Sequence, residues 1–99
     1  MKYLLFVSLL AIALPATAQQ VVICSLFGDL AENVMKIRQK GASPAFVLKA
    51  LLGNDETINK IVVSLMADAY SKPRYTTERF QIRAVVDFRS EVETACLFN

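Results

Sequence analysis

Two cysteines, Cys24 and Cys96, stand near the two ends of the segment that follows an apolar leader, and the chain holds no third. In an oxidising compartment such a pair reads as one structural bridge. Closing so long a loop stabilises by about 4 kcal/mol in the chain-entropy picture, a large share of the roughly 5 to 15 kcal/mol that a domain holds. The rival reading, two metal-binding or catalytic thiols, lacks partners, because there is no histidine and no C-x-x-C spacing.

The compartment is read from the first residues. MKYLLFVSLLAIALPATA has a cationic start at Lys2, an apolar run from Tyr3 to Leu14, a breaking Pro15 and a small-x-small end at Ala16-Thr17-Ala18. That is the pattern of a secretory signal peptide, residues 1–18, with cleavage after Ala18. A spanning helix needs about 20 apolar residues, and Pro15 with Gln19 and Gln20 cuts this run short. Val22 and Ile23 are too bulky for a lipoprotein cleavage site ahead of Cys24. The mature chain is therefore expected to be periplasmic or secreted, with no stable membrane anchor.

Without its leader the 99-residue chain keeps 81 residues, and with Lys2 gone ten Lys and Arg face nine Asp and Glu. So small a net charge, after an export signal, argues against a nucleic-acid partner. Residues 19–99 fit one small domain. At that size a core is marginal, and exported domains commonly compensate with disulfides.

Apolar spacing predicts an all-α fold, a small bundle of about four helices whose first and last members the disulfide joins. In the first, Ile23, Leu26, Phe27, Leu30, Val34 and Ile37 recur at three and four, the stripe of a helix buried on one side. Gly41 stops it. Ser43 and Pro44 open a short second helix, AFVLKALL, ended by Gly53. Asn54 or Asp55 caps a third, with Ile58, Ile61, Val62, Leu65 and Ala69 on one face, until Pro73 forbids continuation. Thr76 or Thr77 caps the fourth, which carries Phe80, Ala84, Val85, Phe88, Val92 and Cys96 inward. KPRYTTERF, residues 72–80, interleaves cations with aromatic rings, yet on this reading it is a corner between helices.

A bridge from the start of the first helix to the end of the last makes the two antiparallel. Residue i of one then lies level with about 120 minus i of the other. Arg38 and Gln81 both fall on inward faces and share a level, so a partly buried contact between them is expected, close to Tyr70, Arg74 and Tyr75. Polar side chains on core faces need partners. One reading is a latch that fixes register. The other is a recognition patch of Arg38, Tyr70, Arg74, Tyr75 and Gln81 that offers an arginine fork to an acidic group.

The second helix is apolar nearly all round, through Phe46, Val47, Leu48, Leu51 and Leu52, and the third carries Val63, Met66 and Tyr70 beyond its core stripe. A surface of Phe46, Val47, Leu48, Leu51, Val63 and Met66 is thus expected to be part core and part interaction face. Catalysis finds little to work with. No histidine serves as a base, no glycine-rich phosphate loop or calcium loop is visible, and Asp29, Glu32, Asp68, Asp87, Glu91 and Glu93 fall mostly on outward faces beside cations. Neither an enzyme nor a cofactor is expected.

The segments VMKIRQKG and DAYSKPRYTTERFQIRAVVDFRSEVETAC together resemble an uncharacterised family of small exported helical proteins of proteobacteria and their phages. Its pattern is a cysteine, then R-Q-x-G, A-Y-x-x-P-R-Y, Q-x-R-A, D-F-R and a second cysteine. About half of the mature chain is covered, and Ala42–Lys60 lies outside. The resemblance implies bacterial origin and periplasmic residence, and no activity. The expectation is a module without catalysis that binds another protein of the periplasm or envelope, or a second copy of itself as a weak homodimer. The alternative is a carrier or sensor of a small amphiphile held between the second and third helices, in a cavity lined by Phe46, Leu51, Val62 and Met66.

Overall fold

The computed structural model describes residues 17–98. The leader reading therefore lies largely outside the described residues. Four helices follow one another: α1 (Ala18–Gln39), α2 (Pro44–Leu51), α3 (Glu56–Ser71) and α4 (Glu78–Phe98). No strand occurs among the described residues.

Local chemistry sets each boundary. Thr17 caps α1 through a capping box in which its hydroxyl accepts the Gln20 N–H and the Gln20 amide accepts the Thr17 N–H. That start lies five residues before the apolar stripe begins, because residues 18–23 are all exposed and give no periodicity to read. At the other end Gly41 turns the chain with φ 88° and donates to the Arg38 carbonyl, the left-handed stop that glycine takes without steric cost. Ser43 caps α2 over Phe46, with Pro44 in its first turn. Of the two candidates for α3, Asp55 is the cap, accepting from Thr57 and Ile58. The helix stops at Ser71, two residues before Pro73.

The disulfide joins Cys24 to Cys96 with their Cα atoms 5.5 Å apart, so α1 and α4 are antiparallel. Gly28 lies against Glu93, and Glu32 pairs with Arg89, which keeps each level within about one residue of the expected rule. α3 packs on α1, and α2 on α3. The α3 C-terminus reaches the C-terminal end of α1, where the Tyr70 hydroxyl donates to the Ala42 carbonyl at 2.6 Å. One core runs through all four helices: Ala31, Val34 and Met35; Val47; Val62, Leu65, Met66 and Ala69; Val85 and Phe88.

Core expectations in three helices are corrected. In α1 the buried stripe is Cys24, Gly28, Ala31, Val34, Met35 and Gln39, whereas Ile23 and Leu26 are exposed, Leu26 by 60%. At Gly28 no larger side chain fits, because α4 approaches closely: a Cβ there would stand 2.8 Å from Glu93 Cγ. Phe27, Leu30 and Ile37 flank that line, half-buried. Phe80 is likewise not a core residue. It is 55% exposed, because it sits in the first turn of α4 where no other helix faces it and its ring meets Tyr75 instead. Ile58, in the first turn of α3, is exposed as well.

Candidate functional site

The connector from Lys72 to Thr77 crosses the open end of the bundle, opposite the disulfide, and side chains of α1 hold it there. Gln39 is the only buried polar residue of the described core. Its Nε2 donates to the Pro73 carbonyl at 2.9 Å and its Oε1 accepts the Tyr75 N–H at 2.8 Å, so both halves of the amide are satisfied by main chain. Arg74 reaches back the other way, its Nε donating to the Gln39 carbonyl at 3.1 Å. Its guanidinium lies flat against Gly41, where a Cβ would stand 2.8 Å from Cζ. Glycine at 41 thus serves both the positive φ and the room that Arg74 occupies.

Arg38 is half-buried and does face inward, but it does not meet Gln81. Its Nη2 donates to the Lys72 carbonyl at 3.1 Å and its Cζ lies 5.0 Å from the centre of the Tyr70 ring, a cation–π contact. Arg38 Nε is buried without a hydrogen-bond partner. Gln81 donates instead to the Tyr75 carbonyl at 2.8 Å. The direct Arg38–Gln81 contact is therefore corrected: each residue binds its own stretch of the connector, whose main chain lies between them. Arg38, Tyr70, Arg74, Tyr75 and Gln81 do gather at one end of the bundle, with Arg38 against the Tyr70 ring and Gln81 on the Tyr75 carbonyl.

Gln39 is the residue that sequence reasoning missed. Its signal was present, because 24, 28, 31, 35 and 39 form a stripe at helical spacing, but small and polar residues on it carry no hydrophobic periodicity.

Beside the latch the surface opens into a groove of about 300 Å³. Met35, Ala84 and Phe88 form its apolar floor, and Pro73, Tyr75 and Phe80 its wall. The two rings stand 5.9 Å apart at 41°, within the range of favourable aromatic pairs. The rim carries Lys72, Arg83, Asp87 and Glu91. Lys72 and Glu91 pair at 3.0 Å, and that contact raises the Lys72 pKa above its ordinary value.

A second charged cluster lies on the α1–α4 seam. Arg89 Nη1 donates to Asp29 at 2.6 Å and to Glu32 at 2.7 Å, and its Nε donates to Glu93 at 2.7 Å. Lys36 adds a 3.0 Å pair to Glu32. Hydrogen bonds from Lys36 and Arg89 hold the Glu32 carboxyl below its ordinary pKa, and the carboxylates push the Arg89 pKa up. Arg89 and Glu93 are four residues apart on α4, whereas Arg83 and Asp87, at the same spacing, form no ion pair.

The proposed apolar surface divides. Val47 and Met66 are core residues, Met66 only 3% exposed, and α2 packs on α3. Leu48 and Leu51 are half-buried, and Phe46 and Val63 face solvent, Phe46 by 69%. Phe46, Leu51, Val62 and Met66 therefore do not line one cavity: Val62 and Met66 pack within the closed core while Phe46 points away from it. A shallow trough of about 550 Å³ runs along α3 instead, past Leu52, Asn59 and Val63. No described helix is long and apolar enough to cross a membrane, and no group of three metal-binding side chains occurs among the described residues. No family model, no curated protein and no solved structure matches this chain.

Proposed function

We propose that this is a binding module of the periplasm or the secreted space, which holds another protein through the connector end of its bundle and performs no chemistry. The observation that carries the reading is the solvent-facing pair of Tyr75 and Phe80 beside an apolar groove floor. Folding alone gives no reason to leave two rings in water on a rigid corner, whereas exposed apolar patches with charged rims are characteristic of partner sites. The corner is rigid because Gln39, Arg38 and Arg74 bind its main chain, and a preorganised surface loses little entropy on binding.

Most polar members of the patch hold the connector in shape. The donors of Arg38, Arg74 and Gln81 named above go to carbonyls of the chain itself, leaving Tyr75 and Phe80 as anchors and Arg83 as a rim cation for an acidic group. The disulfide and the export pattern of the leader support the compartment.

The test is affinity capture from periplasmic extract with wild-type chain, Phe80→Ser and Tyr75→Ala. Both rings are exposed, so the variants should melt as the wild type does. A partner retained by the wild type and released by both supports the reading. Equal retention by all three would sink it.

A further inference from the structure

We infer that Gln19 becomes the N-terminal residue of the exported chain and cyclises there to pyroglutamate, a modification site at the start of α1. This rests on the leader reading, cleavage after Ala18, and not on the protein-binding proposal. The described start of α1 depends on residues that cleavage would remove. Thr17 supplies the cap hydroxyl to Gln20 and the carbonyl that Val21 bonds at 3.1 Å. Cutting the Ala18–Gln19 bond takes both away and leaves a new ammonium on the first turn, at the positive end of the helix dipole. No acidic residue stands in that turn to offset it.

Gln19 is exposed, as are its neighbours through Ile23, and burial begins only at Cys24. Nothing in the packing therefore opposes a ring at that position. In the reaction the α-amino nitrogen of Gln19 attacks its own Cδ and forms the lactam bond. The Cδ–Nε2 bond breaks, and Nε2 leaves as ammonia with a proton given up by the amine. No oxidant or co-reactant is needed. The product carries a neutral amide nitrogen where the ammonium stood, which removes the unfavourable charge from the helix end and closes the chain to aminopeptidases.

The experiment is intact-mass analysis and N-terminal sequencing of the full chain exported to the periplasm, before and after treatment with pyroglutamyl aminopeptidase. The expected mass is that of residues 19–99 less two hydrogens for the disulfide and less one ammonia. Sequencing should be blocked, and should read from Gln20 once the enzyme has removed the cap. Gln19→Ala, exported in parallel, should start at Ala, sequence freely and focus at a more basic position by one charge. A wild-type chain that starts at Gln19 and keeps a free amine after prolonged incubation at neutral pH would overturn the cyclisation. A start at any other residue would overturn the leader reading on which it stands, and the two failures are distinguished by the first residue read.

Discussion

The two ends of the bundle are held by different means. At one, a single covalent bond joins Cys24 to Cys96, and the side chains around it are loosely placed, with Val22, Leu26 and Phe98 all exposed. At the other no covalent link exists, and a network of side-chain to main-chain bonds through Arg38, Gln39, Arg74 and Gln81 fixes the connector. A crosslink keeps two helices together whether or not their surroundings pack. Hydrogen bonds fix a shape only where donor and acceptor meet in one geometry. The precise surface of this protein is therefore at the end without the bridge, and the groove lies there.

Breaking the covalent end should have the largest effect. Cys24→Ser with Cys96→Ser should cost about 4 kcal/mol and lower the melting temperature by about 15 °C or more in a domain this small. Thermal melts of oxidised, reduced and doubly substituted chain measure it, and an unchanged melt would contradict the account of that end. Next comes the latch. Gln39→Leu leaves the Pro73 carbonyl and the Tyr75 N–H without partners, a loss of about 2 to 3 kcal/mol, and hydrogen exchange should rise at Tyr75 while staying unchanged near Cys24. Arg38→Met loses both the bond to the Lys72 carbonyl and the cation over the Tyr70 ring, about 1 to 2 kcal/mol together, read by denaturant unfolding.

The α1–α4 seam and the Lys72–Glu91 pair beside the connector both respond to pH. Glu32 is held below its ordinary value of 4.5, so the folded chain takes up that proton less readily than the unfolded one. Its contribution to stability is complete above 4.5 and disappears as pH falls through the depressed value. Lys72 is raised above 10.5, so its contribution is complete below that value and is lost as pH rises through the raised one. Arg89→Gln should accordingly narrow the gap to wild type in acid, and melting curves taken across that range would expose the smallest of these effects.

Reading the sequence against these residues shows where the information ran out. Gly41, Ser43, Asp55 and Pro73 announce their boundaries because capping and turn chemistry is local. The α1–α4 level was legible because one bond between known positions sets it. Phe80 and Leu26 fit an inward stripe because they are apolar residues at helical spacing, and the spacing alone does not tell which side of a stripe a neighbour will occupy. The role of Gln39 is not legible for the complementary reason: although it lies on a helical stripe and in the R-Q-x-G pattern, its burial depends on main-chain atoms of residues 73 and 75, which only the folded corner brings to it.

By itself the sequence determined four helices, most of their stops, the bridge and the antiparallel level of the outer two, since these follow from nearest neighbours along the chain and from one crosslink. Tertiary structure alone decided that Gly28, not Ile23 or Leu26, lies against α4, that the connector is pinned through Gln39, and that Tyr75 and Phe80 stay in water. Those outcomes depend on how closely two surfaces approach, a property of the packed pair of helices that neither helix carries in its own sequence.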